Sequence, residues 1–320
     1  MGTQDDADVA GGRGAARAVL VLGTAAQSPT RERAHNAAVL RWEDELILFD
    51  PGEGAQRQLA LGHVSAARID RVCITHLHGD HCLGLPGFVL RRSMDGVDRP
   101  LDVHFPAAEE HHVRALLGGT AVDTTIDVRL HGVPAEGGDV ATAHGRLIAL
   151  PLDHTVPTVG YRLEEPDRPH LLPDRLAALG IRGERVHELE EQGHLEVDGR
   201  TVDLDEVSRT GPGPRFAFVM DTRRCASARA LAADVDLLVC ESTFLAGEED
   251  RAAEHGHLTA GQAAELAAAA GAQRLVLTHY SSRHTDSSAF AAEAAAVFPE
   301  VVAADDLTWV PVPNRPRPHG

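Results

Sequence analysis

Short apolar runs punctuated by Gly, Pro and Asp recur along the chain, with longer helical patterns between them. "AVLVLGT" (18–24), "AAVLRW" (37–42), "ELILFDPGEG" (45–54) and "RVCITH" (71–76) come early; "GRLIALPLDH" (145–154), "FAFVMDT" (216–222), "VDLLVCEST" (235–243) and "RLVLTHY" (274–280) come later. Several are apolar throughout, as in strands of a sheet covered on both faces. Helical patterns occupy "GAQRQLALG" (54–62), "AAEEHHVRALLGG" (107–119), "ASARALAADV" (226–235), "TAGQAAELAAAAG" (259–271) and "SSAFAAEAAAVF" (287–298). Strands first, then strands alternating with helices, predict an α/β layered domain.

Two regions depart from this rhythm. Residues 1–16, rich in Gly, Asp and Ala, carry no apolar period and read as a disordered tail. Residues 165–210 are highly charged and poor in large apolar side chains, with one short helix candidate and one hairpin signal, "EVDGRTV", turning at Asp-Gly. That segment reads as an arm inserted into the domain, or as a solvated excursion with no role.

Composition narrows the class. The 320 residues are 43% hydrophobic, ample for a large core, and all 30 basic side chains are arginine. The four cysteines, Cys73, Cys82, Cys225 and Cys240, are scattered, which predicts buried thiols in a reducing, cytoplasmic compartment and no thiolate zinc site. No apolar run is long enough for a membrane span, so no membrane partner is expected. The net charge of −18 speaks against a nucleic-acid partner unless local charge overrides it.

The densest chemistry is "THLHGDH". His76 and His78 follow a strand; if the extended geometry continues, both imidazoles share one face and reach one metal. Gly79 lets the chain turn, sending Asp80 and His81 towards a second. Further ligands should stand at strand ends, and His154, Asp221 and His279 each follow an apolar run. His76, His78, His154 and Asp221 would fill one site; Asp80, His81, His279 and the shared Asp221 would fill another. Imidazole and carboxylate without thiolate suit two Zn2+ per chain, with Mn2+ or Fe2+ as alternatives. His257 is suited to be a general acid, with Glu241 holding its other nitrogen.

The H-x-H-x-D-H signature with downstream His, Asp and His resembles the metallo-β-lactamase superfamily, which implies an αβ/βα sandwich. "LFDPGEGAQRQ" (48–58), "CESTF" (240–244) with "EHGHLTAGQAAELA" (254–267), and "LTHYSSRH" (277–284) sharpen the resemblance to the ribonuclease Z family, over about residues 18–313. The resemblance implies a catalytic domain over 17–313 carrying the arm at about 165–210, with 314–320 as a C-terminal tail. It implies a zinc-dependent endonuclease that removes the 3′ trailer from tRNA precursors, leaving a tRNA 3′-hydroxyl and a 5′-phosphorylated trailer. Asp80 would orient or deprotonate the attacking water, and Asp50 would orient a metal ligand from behind. The short form of the family is a homodimer in which one subunit's arm serves the other's site; no DNA partner is expected.

Arg31, Arg33, Arg57, Arg223 and Arg283, with Arg91, Arg92 and Arg224, flank the motifs and would form a phosphate-binding rim, some of them being ordinary surface residues. Bound cations and such a rim would make the local charge positive. The arm departs from the family pattern: residues 165–210 hold 12 acids and six arginines. An RNA clamp of that composition requires Arg175, Arg182 and Arg185 on one face. Ala34 and Ala55 stand where the family tends to carry Asn and Thr. The readings left open are a metal-dependent small-molecule phosphodiesterase or other ester hydrolase, and a non-catalytic metal-containing RNA-binding protein.

Overall fold

A computed structural model describes residues 14–121 and 126–314. The tail expected at the N-terminus lies outside the described residues over 1–13, and the C-terminal one over 315–320. The described chain divides into a unit of residues 14–163 and 215–313, and a second of residues 164–214.

The first unit is built on two seven-stranded sheets. One runs, edge to edge, Thr308–Pro311, Arg17–Gly23, Ala37–Trp42, Glu45–Phe49, Arg71–Cys73, Leu101–Pro106 and Val128–Val133. The other runs Val301–Ala303, Arg274–Thr278, Leu237–Glu241, Arg215–Val219, Thr158–Glu164, Arg146–Leu152 and Gly138–Ala141. The unbroken apolar strands follow from the layering. Phe216 and Phe218 point into the core between the sheets, where the Phe49 and Phe218 ring centroids lie 4.6 Å apart. Ala217 and Val219 point outward to helices Ala226–Ala232 and Ala260–Ala270. On the far side, Leu48, Val72 and Val103 meet Leu59, Phe88 and Val113 from helices Ala55–Leu61, Leu85–Met94 and Glu110–Leu117. Helices cover both outer faces: the αβ/βα sandwich.

The expected strands and helices are present with trimmed ends. The strand predicted through His76 stops at Cys73 because the Thr75 N–H leaves the ladder and donates to Asp50 Oδ1 at 2.6 Å. Asp80 and His81 sit in a short helix, Gly79–Cys82, where a turn alone was expected. Helix Leu85–Met94 was hidden by Pro86 and its flanking glycines, yet proline is tolerated in a first helical turn. Cys225 is half-buried instead of buried, and its sulfur caps helix Ala226–Ala232. Among the described residues no helix is long and apolar enough to cross a membrane.

Residues 164–214 hold more structure than their composition suggested. Helices Pro173–Ala178 and Glu184–Gln192, the paired strands Arg168–Leu171 and Ser208–Gly211, and a hairpin of His194–Val197 with Arg200–Asp203 surround a small core. That core comprises Leu176, Ile181, Leu189, Leu195, Val197, Val202 and Val207. The Asp-Gly turn is where the sequence put it, with Asp198 and Gly199 both at positive φ, as a two-residue hairpin loop demands.

Candidate metal centre and cleft

Three site residues follow strands of the sandwich and reverse the backbone there. Asp50, Asp221 and His279 come after Phe49, Met220 and Thr278 with φ of 44°, 42° and 62°. A left-handed non-glycine residue costs about 1–3 kcal/mol, and such strain collects at functional sites. Here it swings each side chain off the strand and into a common cluster. Glycines let the loops close around it. A methyl at Gly52 would lie 2.2 Å from the Asp80 carbonyl oxygen, and one at Gly84 would lie 2.1 Å from that of Gly52.

His76, His78, His154 and Asp221 offer ligand atoms within 4.8 Å of one another, and so do Asp80, His81 and His279. Asp221 adjoins both groups, its Oδ2 lying 3.5 Å from His76 Nε2 and from His81 Nε2, and its Oδ1 3.4 Å from His279 Nε2. The outer nitrogens are anchored, which sets the tautomers. His81 Nδ1 donates to Asp50 Oδ2 at 2.9 Å, and His154 Nδ1 donates to the Gly256 carbonyl at 2.8 Å. The Thr75 hydroxyl donates to Asp50, so its oxygen accepts from His76 Nδ1 at 3.0 Å. The Thr243 hydroxyl donates to Glu241, so its oxygen accepts from His279 Nδ1 at 2.9 Å. Each of these four imidazoles therefore turns an Nε2 lone pair inward.

Those lone pairs need a cation. His81 Nε2 and His279 Nε2 face each other at 3.1 Å, and Asp221 Oδ1 is buried without a hydrogen-bond partner. Burial opposes charge on His81, but Asp221, Asp80 and Asp50 outweigh it and drive its pKa well above the ordinary imidazole value, so these carboxylates draw a positive charge to its Nε2, a proton where no metal ion takes its place. Burial would likewise raise Asp221, yet the imidazoles of His279, His81 and His76 hold it well below the usual carboxylate range. The donor set, inward lone pairs facing an orphaned carboxylate oxygen, fits divalent metal ions.

Beside the cluster, His257 Nδ1 donates to Glu241 Oε1 at 3.1 Å. Glu241 is fully buried and fixed by the Thr222 N–H at 2.6 Å, the Thr243 hydroxyl at 2.7 Å and the Leu258 N–H at 3.2 Å. Burial disfavours the imidazolium of His257, but Glu241 and then Asp221 overcome it and push the pKa up to about 9. A charged, mostly buried donor thus stands at a cleft of about 560 Å3 whose walls include Gln27, His35, His78, Asp80, His154, Phe244, His257, Ser282 and Arg283.

The structure brings together Asp50, His76, His78, Asp80, His81, His154, Asp221, Glu241, His257 and His279, but it disperses the arginine rim. Arg283 lines the cleft. Arg223 binds Asp153 and the Ala253 carbonyl, close to Gly256. Arg33 is buried, donating to the His284 carbonyl and lying over the Tyr280 ring, so it cannot serve as a rim residue. Arg92 is wholly buried among the carbonyls of Ala66, Ile69 and Arg99, and Arg91 and Arg224 pair with Asp95 and Glu265. Arg31 and Arg57 are exposed and are not among the cleft-lining residues. Sequence reasoning missed Thr75, Thr243 and Gly256, which orient ligands, and Gln27, whose N–H donates to Asp80 Oδ2 at 2.7 Å. A threonine beside a ligand or an acid, as in "ITH" and "CEST", was the available signal for the first two.

Comparison with known proteins agrees with this architecture. The metallo-β-lactamase superfamily profile matches residues 30–173, and a β-lactamase superfamily domain profile matches residues 175–280. The chain is 52% identical to ribonuclease Z of Salinispora arenicola over 94% of this chain and 98% of the relative. It is 50% identical to ribonuclease Z of Nocardia farcinica, over 93% and 99%. Among solved structures, human tRNase Z, short form, superposes with a TM-score of 0.68 at 25% identity, covering 93% of this chain and all of that one. With half its residues shared with such relatives, nearly end to end, on a fold that gathers the motif side chains, this chain belongs to the ribonuclease Z family of the metallo-β-lactamase superfamily.

Proposed function

We propose that this protein is a metal-dependent endoribonuclease that removes the 3′ trailer from tRNA precursors. The observation that carries it is the Glu241–His257 pair held beside the His/Asp cluster, which supports a role for His257 as the donor to a departing ribose oxygen. His76, His78, His154 and Asp221 would hold one ion, and Asp80, His81 and His279, sharing Asp221, a second; we assign Zn2+ to both from the donor set, with Mn2+ or Fe2+ as alternatives. When bound, such ions supply Lewis acidity at the phosphate and lower the pKa of the attacking water. Asp80, its Oδ2 steadied by the Gln27 N–H, orients that water and takes up its proton. As water oxygen bonds to phosphorus and the P–O3′ bond breaks, His257 passes its proton to the departing oxygen. The tRNA leaves with a 3′-hydroxyl and the trailer with a 5′-phosphate. Asp50 keeps the His81 ring in the required tautomer.

The finer parts of this reading concern assembly and setting. Residues 164–214 serve as the tRNA-gripping arm of a homodimer, one copy's arm acting at the other's cleft. Exposed Leu83, just before helix Leu85–Met94, and Met94, its last residue, supply apolar surface for a second copy. One acid of the arm is offset within it, Arg200 pairing with the Glu206 side chain, while Arg175 and Arg185 donate to the backbone carbonyls of Glu206 and Glu196. Free thiols and a tRNA substrate suit the cytoplasm.

The test is cleavage of an end-labelled tRNA precursor by metal-loaded protein, beside Asp80→Ala and His257→Ala. A single cut at the tRNA 3′ end, absent in both variants, is expected. Turnover of bis(p-nitrophenyl) phosphate with no cut in RNA would sink the reading in favour of a small-diester hydrolase, which the acidic arm would then explain.

A further inference from the structure

The cleft holds two imidazoles that the reaction above does not use: His255, which is exposed and stacked on Phe244, and His35. His35 stands on the Asp80 side, its backbone clamped by close approaches. A methyl at Gly52 would lie 2.7 Å from the His35 Cβ, and one at Gly23 would meet the His35 carbonyl oxygen at 2.0 Å. Its neighbour Asn36 turns the other way, towards Asp50 and His81, as successive side chains of an extended segment do. The His35 backbone and Cβ are therefore held in place at the cleft wall.

Its Nδ1 is buried and has no hydrogen-bond partner among the described residues. A buried N–H left without an acceptor is rarer than an under-satisfied acceptor, so Nδ1 presents its lone pair and the ring proton sits on Nε2. His35 thus offers an N–H donor at the cleft wall, and no acceptor among the described residues takes it. The scissile phosphate falls to the cations and His257, which leaves an oxygen beside it for His35.

We infer that His35 positions the substrate, donating from Nε2 to an oxygen of the nucleotide next to the scissile phosphate, a ribose hydroxyl or a base carbonyl. This rests on the ribonuclease reading of the same cleft. The test compares wild type with His35→Ala, His35→Gln and His35→Asn on a tRNA precursor and on bis(p-nitrophenyl) phosphate. His35→Ala loses about tenfold in kcat/KM on the precursor, mostly through KM, the worth of one hydrogen bond. Turnover of the small diester, which has no flanking nucleotide, is unchanged. His35→Gln, whose amide nitrogen falls where Nε2 stood, recovers most of the loss; His35→Asn, whose nitrogen matches Nδ1, does not. Precursor binding by metal-stripped protein, read by fluorescence anisotropy, weakens about as much in His35→Ala. Equal losses on both substrates would assign His35 to support of the cluster, and no loss on either would remove it from substrate contact; each overturns the inference while the ribonuclease reading stands. A wild type that neither binds nor cuts the precursor would overturn both.

Discussion

The sandwich and the inserted segment 164–214 solve opposite problems with the same residue types. In the sandwich, charge is buried and held by named partners: Asp50 and Glu241 are fully enclosed, and each is held by several donors. In the inserted segment, seven apolar side chains form the core and the charges lie outside, as at Glu184, Arg182 and Glu190. A buried carboxylate with fixed partners tolerates no exchange, because losing one partner strands a charge. An exposed acid on a small core can change with little effect on stability. Chemistry is therefore locked into the first region, and the surface of the second is free to vary.

Substitutions can break this contrast. The largest effect is expected from His257→Ala: kcat on a tRNA precursor falls about 10²–10⁴-fold, while bis(p-nitrophenyl) phosphate, whose leaving group needs no proton, loses far less. Comparable losses on both, in parallel single-turnover assays, would mean that His257 serves the cluster instead. Next comes Gly256→Ala, which puts a methyl 2.7 Å from His154 Nδ1 at φ of 80°. It should weaken metal affinity about 10–100-fold, as loss of an orienting partner does; unchanged affinity by competition with a chelating dye would refute that.

In the inserted segment, Leu189→Ala opens its core at a cost of about 2–5 kcal/mol. Limited proteolysis within 164–214 should accelerate and precursor cleavage should drop, with small-diester turnover retained; parallel losses would show that the two regions are not separable. The smallest effect is a shift in pH dependence. His257, raised to about 9, stays protonated through neutrality, so precursor cleavage falls only as pH rises through that value. Glu241→Gln removes the charge that opposes burial and should move this alkaline limb about one unit or more towards neutral pH. A limb that stays put would exclude Glu241 as its cause.

How much was readable in advance follows the same divide. His76, His78, Asp80 and His81 were legible because six consecutive positions carry four side chains of metal-ligand type, and His154, Asp221 and His279 because each ends an apolar run. His35 and Gly256 were not, since their roles arise only where distant loops meet. Strands Leu101–Pro106 and Thr158–Glu164 were overlooked because charged, polar or Gly/Pro positions interrupt their apolar pattern. The core of 164–214 escaped because Leu176, Leu189 and Val202 fall at no regular period. The arginines misled for a related reason: proximity in sequence to a motif does not set the side chain's direction, and Arg33 and Arg92 turned inward.

The neck of the inserted segment has a longer-term consequence. The Glu165 N–H donates to the Pro214 carbonyl at 3.0 Å, so the chain departs and returns at one point between neighbouring strands. Ends that close permit lengthening, trimming or wholesale exchange of what lies between them without shifting the register of the sheet. Descendants of this chain could trade one appendage for another, as a tool changes heads, while the hydrolytic machinery is inherited intact.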